Sequence, residues 1–164
     1  MKQYIKYITI IITFVLLLTG CDFEEKEVIK LQDNQIGKIK YSIPNTFKKS
    51  ELSSDNVHIY KYNDEHIGTV CNFTITATTP FNTNLDIIIK SYMFSDDDYI
   101  IKEEKIDDQV WKYASDNRKT DGLYYVYATI YQDKLYVIQY DDIGTDSYCK
   151  DMFKKITKSI KVEE

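Results

Sequence analysis

Histidine is scarce in this 164-residue chain, which has only His58 and His66. Zinc takes three or four His, Cys or carboxylate ligands at recognisable spacings. Two histidines and a few scattered cysteines make no such motif, so no metal site is expected. Cysteine is almost as rare. Cys21, Cys71 and Cys149 stand far apart, and without a close pair a thiol redox centre is not expected. No serine carries the surroundings of a nucleophile–histidine–carboxylate triad. Positive charge is also short, with 21 Lys and Arg against 26 Asp and Glu, a net charge of −5. Nucleic acid requires a basic face, so it is not an expected partner. An anionic bilayer would repel such a chain as well. The apolar run at the N-terminus, Ile8 to Leu18, is 11 residues long and interrupted by Thr9 and Thr13. A membrane-spanning helix needs ~20 apolar residues.

What is present is aromatic and β-branched. Fifteen tyrosines stand out, and tyrosine, isoleucine and valine favour strands because broad side chains pack on a pleated surface. An apolar share of 43% and a charged share of 29% fit one globular domain.

The first twenty residues combine Lys2 and Lys6, the apolar run, and small residues before Cys21. That order is the pattern of a secretory signal. Leu18-Thr19-Gly20-Cys21 resembles a lipobox, the signal of bacterial lipoproteins. The resemblance implies a diacylglycerol thioether on Cys21, cleavage before it, and attachment to the outer face of the cell membrane with the lipid bilayer as partner. The alternative is an uncleaved membrane helix, which the run's length disfavours. Cleavage after residue 20 leaves 19 basic against 26 acidic residues, a net charge of −7. Residues 21–35 read as a charged tether that lifts the domain from the membrane. A short helix through Val28, Ile29 and Leu31 is the alternative.

From residue 36 to 164 the pattern is that of a single α+β domain. Ile39, Tyr41 and Ile43 alternate with polar neighbours up to Pro44, which predicts a strand over 38–44. Further strands are predicted over 57–62 and 67–78. A helix over 82–95 begins at an Asn cap, Asn82 or Asn84, and places Leu85, Ile88, Ile89 and Tyr92 on one side. Strands over 99–106, 109–117, 123–131 and 135–140 follow, the last two joined by a tight turn at Gln132-Asp133-Lys134. A final helix capped by Thr145 or Asp146 runs to Ile160. Its apolar stripe is Tyr148, Cys149, Met152, Phe153, Ile156 and Ile160, and Lys154, Lys155 and Lys158 lie toward its C-terminus, where positive charge suits the helix dipole. An antiparallel sheet covered by two helices, an α/β/α sandwich, is the expected architecture.

The succession KYSIPNTFKKSE, DDQVWKYASD, YYVYATIYQDKLYVIQY and MFKKITKSIKV resembles the PsbP-like fold, shared by an extrinsic photosystem protein and a Ran-binding nuclear import factor. The resemblance implies a noncatalytic, protein-contacting scaffold. No functional motif of either relative is identifiable, so no binding residues carry over.

Several residues are candidates for chemistry. Cys71 and Cys149 both point toward the core. They are either a structural disulfide, which export permits, or two buried thiols. Asp96-Asp97-Asp98 lack the spacing and the glycine of a calcium loop. Trp111, Tyr124, Tyr125 and Tyr127 offer a candidate aromatic contact face for an envelope protein or glycan, since a tyrosine ring supplies area and its hydroxyl direction. The alternative is that helices bury both faces of that hairpin. The functional expectation is a membrane-anchored, extracytoplasmic binding or scaffold module with no catalytic residues and no cofactor beyond the lipid on Cys21. The alternative is an envelope hydrolase of cell-wall material, which would draw on carboxylates such as Glu103, Glu104, Asp107 and Asp108. Hydrolysis by a carboxyl pair needs a fixed separation and one raised pKa.

Overall fold

The computed structural model describes residues 29–65, 68–93, 99–118, 122–143 and 147–163. The signal segment, Cys21, His66, Asp96–Asp98, Thr145 and Asp146 lie outside the described residues.

The chain enters as two short strands, β1 (Leu31–Ile36) and β2 (Ile39–Pro44), paired antiparallel with Ile36 opposite Ile39. The turn between them contains Gly37 at φ 55, a left-handed conformation that glycine adopts without strain. A Cβ there would lie 2.7 Å from Tyr136 Oη. That hydroxyl accepts a hydrogen bond from Lys38 N at 3.0 Å. The tether expected over 21–35 therefore includes five residues of a strand. β1 is polar, with only Ile36 buried, so it shows no alternation. It is held by its backbone ladder to β2 and by Asn45, whose N–H reaches Lys30 O at 2.8 Å and whose Oδ1 accepts from Lys30 N at 3.0 Å. The short helix through Val28, Ile29 and Leu31 is not formed at Leu31.

Next come β3 (Lys48–Lys49), β4 (Val57–Asp64) and β5 (Thr69–Thr78), then helix α1 (Leu85–Tyr92). Asn84 caps α1 by accepting from Asp86 N at 2.9 Å, which satisfies one free donor of the first turn. Four antiparallel strands follow: β6 (Lys102–Ile106) and the longer β7 (Gln109–Arg118), β8 (Gly122–Tyr131) and β9 (Lys134–Ile143). Helix α2 (Ser147–Ser159) and a terminal strand β10 (Lys161–Val162) complete the described chain.

Among the described residues there are two sheets. The larger has the order β3-β4-β5-β9-β8-β7-β6, and the smaller has the order β1-β2-β10. Two hairpins of the large sheet turn on two residues each. Asp107 and Asp108 (φ 47 and 66) join β6 to β7, and Gln132 and Asp133 (φ 46 and 60) join β8 to β9. Positive φ at both central positions matches the twist of paired strands, and aspartate tolerates that region better than most side chains.

Alternation divides the large sheet into two faces. One carries Ala114, Val126, Ala128, Leu135 and Val137, packed with Ile88, Ile89 and Met93 of α1 and its exit. The other carries Phe73, Ile75, Trp111, Tyr127, Tyr136, Ile138 and Tyr140. It lies under Cys149, Met152, Phe153 and Ile156 of α2 and under Ile39, Tyr41 and Ile43 of β2. This is the α+β architecture expected from the sequence, with a small second sheet added beside α2.

Candidate functional site

The α2 side of β7 and β8 holds a cleft. Tyr113 pairs across the strands with Tyr127, and Ser115 with Tyr125, so the period of two places all three tyrosines on the face toward α2. Tyr113 and Tyr127 stack with ring centroids 4.8 Å apart and an angle of 11°. Tyr125 stacks on Phe153 of α2 at 5.3 Å, and Phe153 also stacks on Tyr140 at 4.3 Å. Helix α2 buries Cys149, Met152, Phe153 and Ile156. That orientation leaves Lys150, Lys154 and Lys158 exposed along one edge of the cleft. Glu104 of β6 lies at the cleft as well, and its Oε2 accepts from the Tyr127 hydroxyl at 3.4 Å. The cleft is open to solvent, with a volume of about 270 Å3.

Burial and neighbouring groups set the protonation of the cleft's phenols. Burial, then the Glu104 carboxylate and the neighbouring Tyr113 and Tyr125, hold the Tyr127 hydroxyl above its ordinary range. Burial, then Tyr113 and Asp142, raise Tyr125. Both phenols stay protonated and act as neutral hydrogen-bonding groups. Lys150 and Lys158 have no ion-pair partner among the described residues. Lys154 has Asp151 at 3.9 Å.

The structure separates residues that the sequence grouped. Trp111, Tyr124 and Tyr127 are 0%, 2% and 7% exposed, so they do not form an open aromatic contact face. Tyr124 lies on the α1 side of the sheet, bonded to Tyr92 O at 3.2 Å and to Gln139 Nε2 at 2.8 Å. Trp111 is sealed beneath the α2 side, and its Nε1 has no hydrogen-bond partner among the described residues. The helices cover both faces of the hairpin at these positions. Of the four, only Tyr125 is half-exposed. Tyr113, which alternation puts on the same side as Trp111, is the residue that joins it, and Lys150 begins the lysine row. Neither residue carries a motif of its own.

Cys71 and Cys149 form a disulfide with Cα atoms 5.6 Å apart, linking β5 to α2 across 78 residues of chain. His58 is 8% exposed and bonds through Nδ1 to the Tyr41 hydroxyl at 2.5 Å. It is a core residue. The carboxylates that a hydrolase would use are exposed. Glu103 faces Lys112 at 3.6 Å, and Asp108 faces Lys105 at 2.7 Å. The Lys105 contact holds the Asp108 carboxyl below its usual range, opposite to what a general acid needs. Among the described residues there is no group of three or more His, Cys, Asp or Glu suited to a metal ion. No helix among them is long and apolar enough to cross a membrane.

No family model matches the chain, and neither does any curated protein. Among solved structures it is similar to CyanoP, the cyanobacterial PsbP of Synechocystis. The TM-score is 0.55 at 14% identity, covering 88% of this chain and 99% of that one. The fold is PsbP-like. The mycobacterial protein LpqN, described as involved in cell envelope biogenesis of Mycobacterium tuberculosis, overlaps with a TM-score of 0.48 at 10% identity, over 88% of this chain and 97% of that one. Likeness at this level concerns the fold, and a fold hosts many functions.

Proposed function

We propose that this protein is a lipid-anchored, extracytoplasmic binding module without a catalytic role, held at the outer face of the cell membrane through Cys21. The observation that carries this reading is the Cys71–Cys149 disulfide, buried between β5 and α2. Disulfides persist in oxidising compartments and are rare in the cytosol. The N-terminal signal pattern and lipobox agree with that compartment. Two acyl chains at ~0.8 kcal/mol per buried methylene hold a domain that its own net charge of −7 would keep off an anionic bilayer. The domain then works as a scaffold, and the cleft beside α2 is its contact site for an envelope protein or glycan.

Fractionation tests the reading. Full-length protein expressed in a bacterial host should mature with a mass that accounts for cleavage before Cys21, added diacylglycerol and two hydrogens lost to the disulfide, and it should sediment with membranes. Cys21→Ser should abolish lipid addition and shift the protein to the precursor or soluble form. Unchanged mass and unchanged membrane retention in Cys21→Ser would overturn it.

A further inference from the structure

We infer that the cleft between α2 and β7–β8 binds an anionic, hydroxyl-rich chain, of the chemistry shared by polyol phosphates and acidic glycans. This deepens the binding-module reading and rests on it for the compartment in which such a chain is met.

The lysine row is the first observation. Lys150, Lys154 and Lys158 recur every fourth residue, so neighbours stand ~6 Å apart along the axis and the row spans ~12 Å. Like charges at that spacing oppose each other on a helix. Lys150 also lies in the first turn of α2, which holds no acidic residue, and a positive charge there opposes the helix dipole. The dipole favours Lys158, in the last turn, but local helix stability does not explain Lys150 or the four-residue repeat. Charge balance does not explain it either, since Lys150 and Lys158 lack ion-pair partners among the described residues. Anions spaced along a ligand would relieve the repulsion at every step. The row stands out against a mature body with a net charge of −7.

The second observation is the wall opposite. Tyr113 and Tyr125 are half-buried, and their hydroxyls form no hydrogen bond among the described residues. A tyrosine ring takes the carbon skeleton of a polyol or sugar, and its hydroxyl takes the ligand's own. Glu104 accepts hydroxyl donors and repels bare anions, so it favours a chain in which acidic groups alternate with hydroxyls over one that is anionic throughout. At about 270 Å3 the cleft lies just below the range for a whole drug-sized ligand, which suits one or two units of a longer chain. A flat anionic bilayer fits less well, because it would meet the acidic body before the recessed tyrosines.

Calorimetric titration of the full chain in neutral detergent is the test, with poly(glycerol phosphate) and polygalacturonate as the two source chemistries. At least one should bind at low salt and weaken as salt rises. The variant K150Q/K154Q/K158Q should weaken it about tenfold, and Y113L/Y125L about fivefold. Circular dichroism and intact disulfide mass should be unchanged in both variants; if Y113L/Y125L fails to fold, single Tyr113→Phe, which removes one hydroxyl, takes its place with an expected loss of about threefold. Neutral dextran and inorganic polyphosphate should bind at least about tenfold more weakly than the better polyanion. Silence from both polyanions would overturn the assignment, as would an unchanged affinity in the lysine variant. So would polyphosphate or anionic phospholipid vesicles binding as tightly as the better chain. None of these outcomes depends on Cys21, so failure here is distinguishable from failure of the anchor.

Discussion

The two faces of the large sheet are built differently. The α1 side is largely aliphatic, with Ala114, Val126, Ala128, Leu135 and Val137 under Ile88 and Ile89 and Tyr124 buried beside them. Helix α1 packs on β7 and β8, and beyond it Asn72, Thr74, Thr76 and Gln139 remain only half-buried. The α2 side is aromatic and cross-linked. Phe153 stacks on both Tyr125 and Tyr140, Tyr41 meets Tyr60 and Phe73, and the disulfide ties the helix to β5. The Tyr–Lys cleft lies at the edge of this aromatic layer, along α2. The aromatic layer thus holds both the larger core cluster and the recess.

Truncating each layer gives the sharpest contrast. Phe153→Ala removes a 4%-exposed ring from two aromatic stacks, and should cost about 4 kcal/mol. Ile88→Val on the α1 side removes one methyl and should cost about 1 kcal/mol. Urea unfolding measures both, and a loss below about 2 kcal/mol for Phe153→Ala would contradict tight packing of the aromatic layer. Next in size is the cross-link. Cys71→Ala with Cys149→Ala frees a 78-residue span, which on the chain-entropy account costs about 4 kcal/mol, less any loosening of strain in the native state. Measured effects of this kind cluster near ~2–4 kcal/mol, and the loss should appear as a lower thermal midpoint for the double variant.

A smaller effect is expected where β1 turns into β2. Gly37→Ala should cost about 2 kcal/mol, because an L residue at φ 55 is strained and the new Cβ meets Tyr136 Oη. Tyr136 is fully buried and cannot swing away. Gly68 is the control. Its φ is 65, but nothing lies within 4 Å of an added Cβ, so Gly68→Ala should lose only the conformational part, about 1 kcal/mol.

Most of this architecture was legible where a strand or helix buries one side. The β8–β9 hairpin alternates cleanly, and α2 has an unbroken apolar stripe. The short or polar strands were not. β1 reads Leu-Gln-Asp-Asn-Gln-Ile and buries only its last residue. β3 and β10 are two residues each and exist through backbone bonds that leave no mark in the side chains. The cleft was half legible. Alternation puts Tyr125 and Tyr127 on one face of their strand, but only packing decides that Tyr127 is buried against Phe153 while Tyr125 and Tyr113 stay partly open. His58 was missed for the same reason. Its strand alternates, yet which phase faces the core depends on the small sheet that brings Tyr41 above it.

His58 gives the smallest of the expected effects, and one confined to the aromatic layer. Burial lowers its pKa first, the nearby Lys49 lowers it further, and Asp55 partly offsets the shift. Tyr41, bonded to its Nδ1, is held neutral by burial and by Tyr60, so it supplies no charge to stabilise an imidazolium. In the unfolded chain His58 takes up a proton near its ordinary value of 6.5, and in the folded chain only at lower pH. Between those two points the unfolded state binds more protons, so stability falls as the pH drops from above 6.5 toward the depressed folded value. His58→Gln keeps a polar group beside Tyr41 and removes the titration. The difference in unfolding free energy between wild type and His58→Gln should therefore be flat above pH ~7.5 and shrink as the pH falls below 6.5. Taking the difference cancels the contribution of His66 and of the carboxylates. A difference that grows on acidification would mean that His58 is charged in the fold, and that the aromatic layer around Tyr41 admits more water than its burial implies.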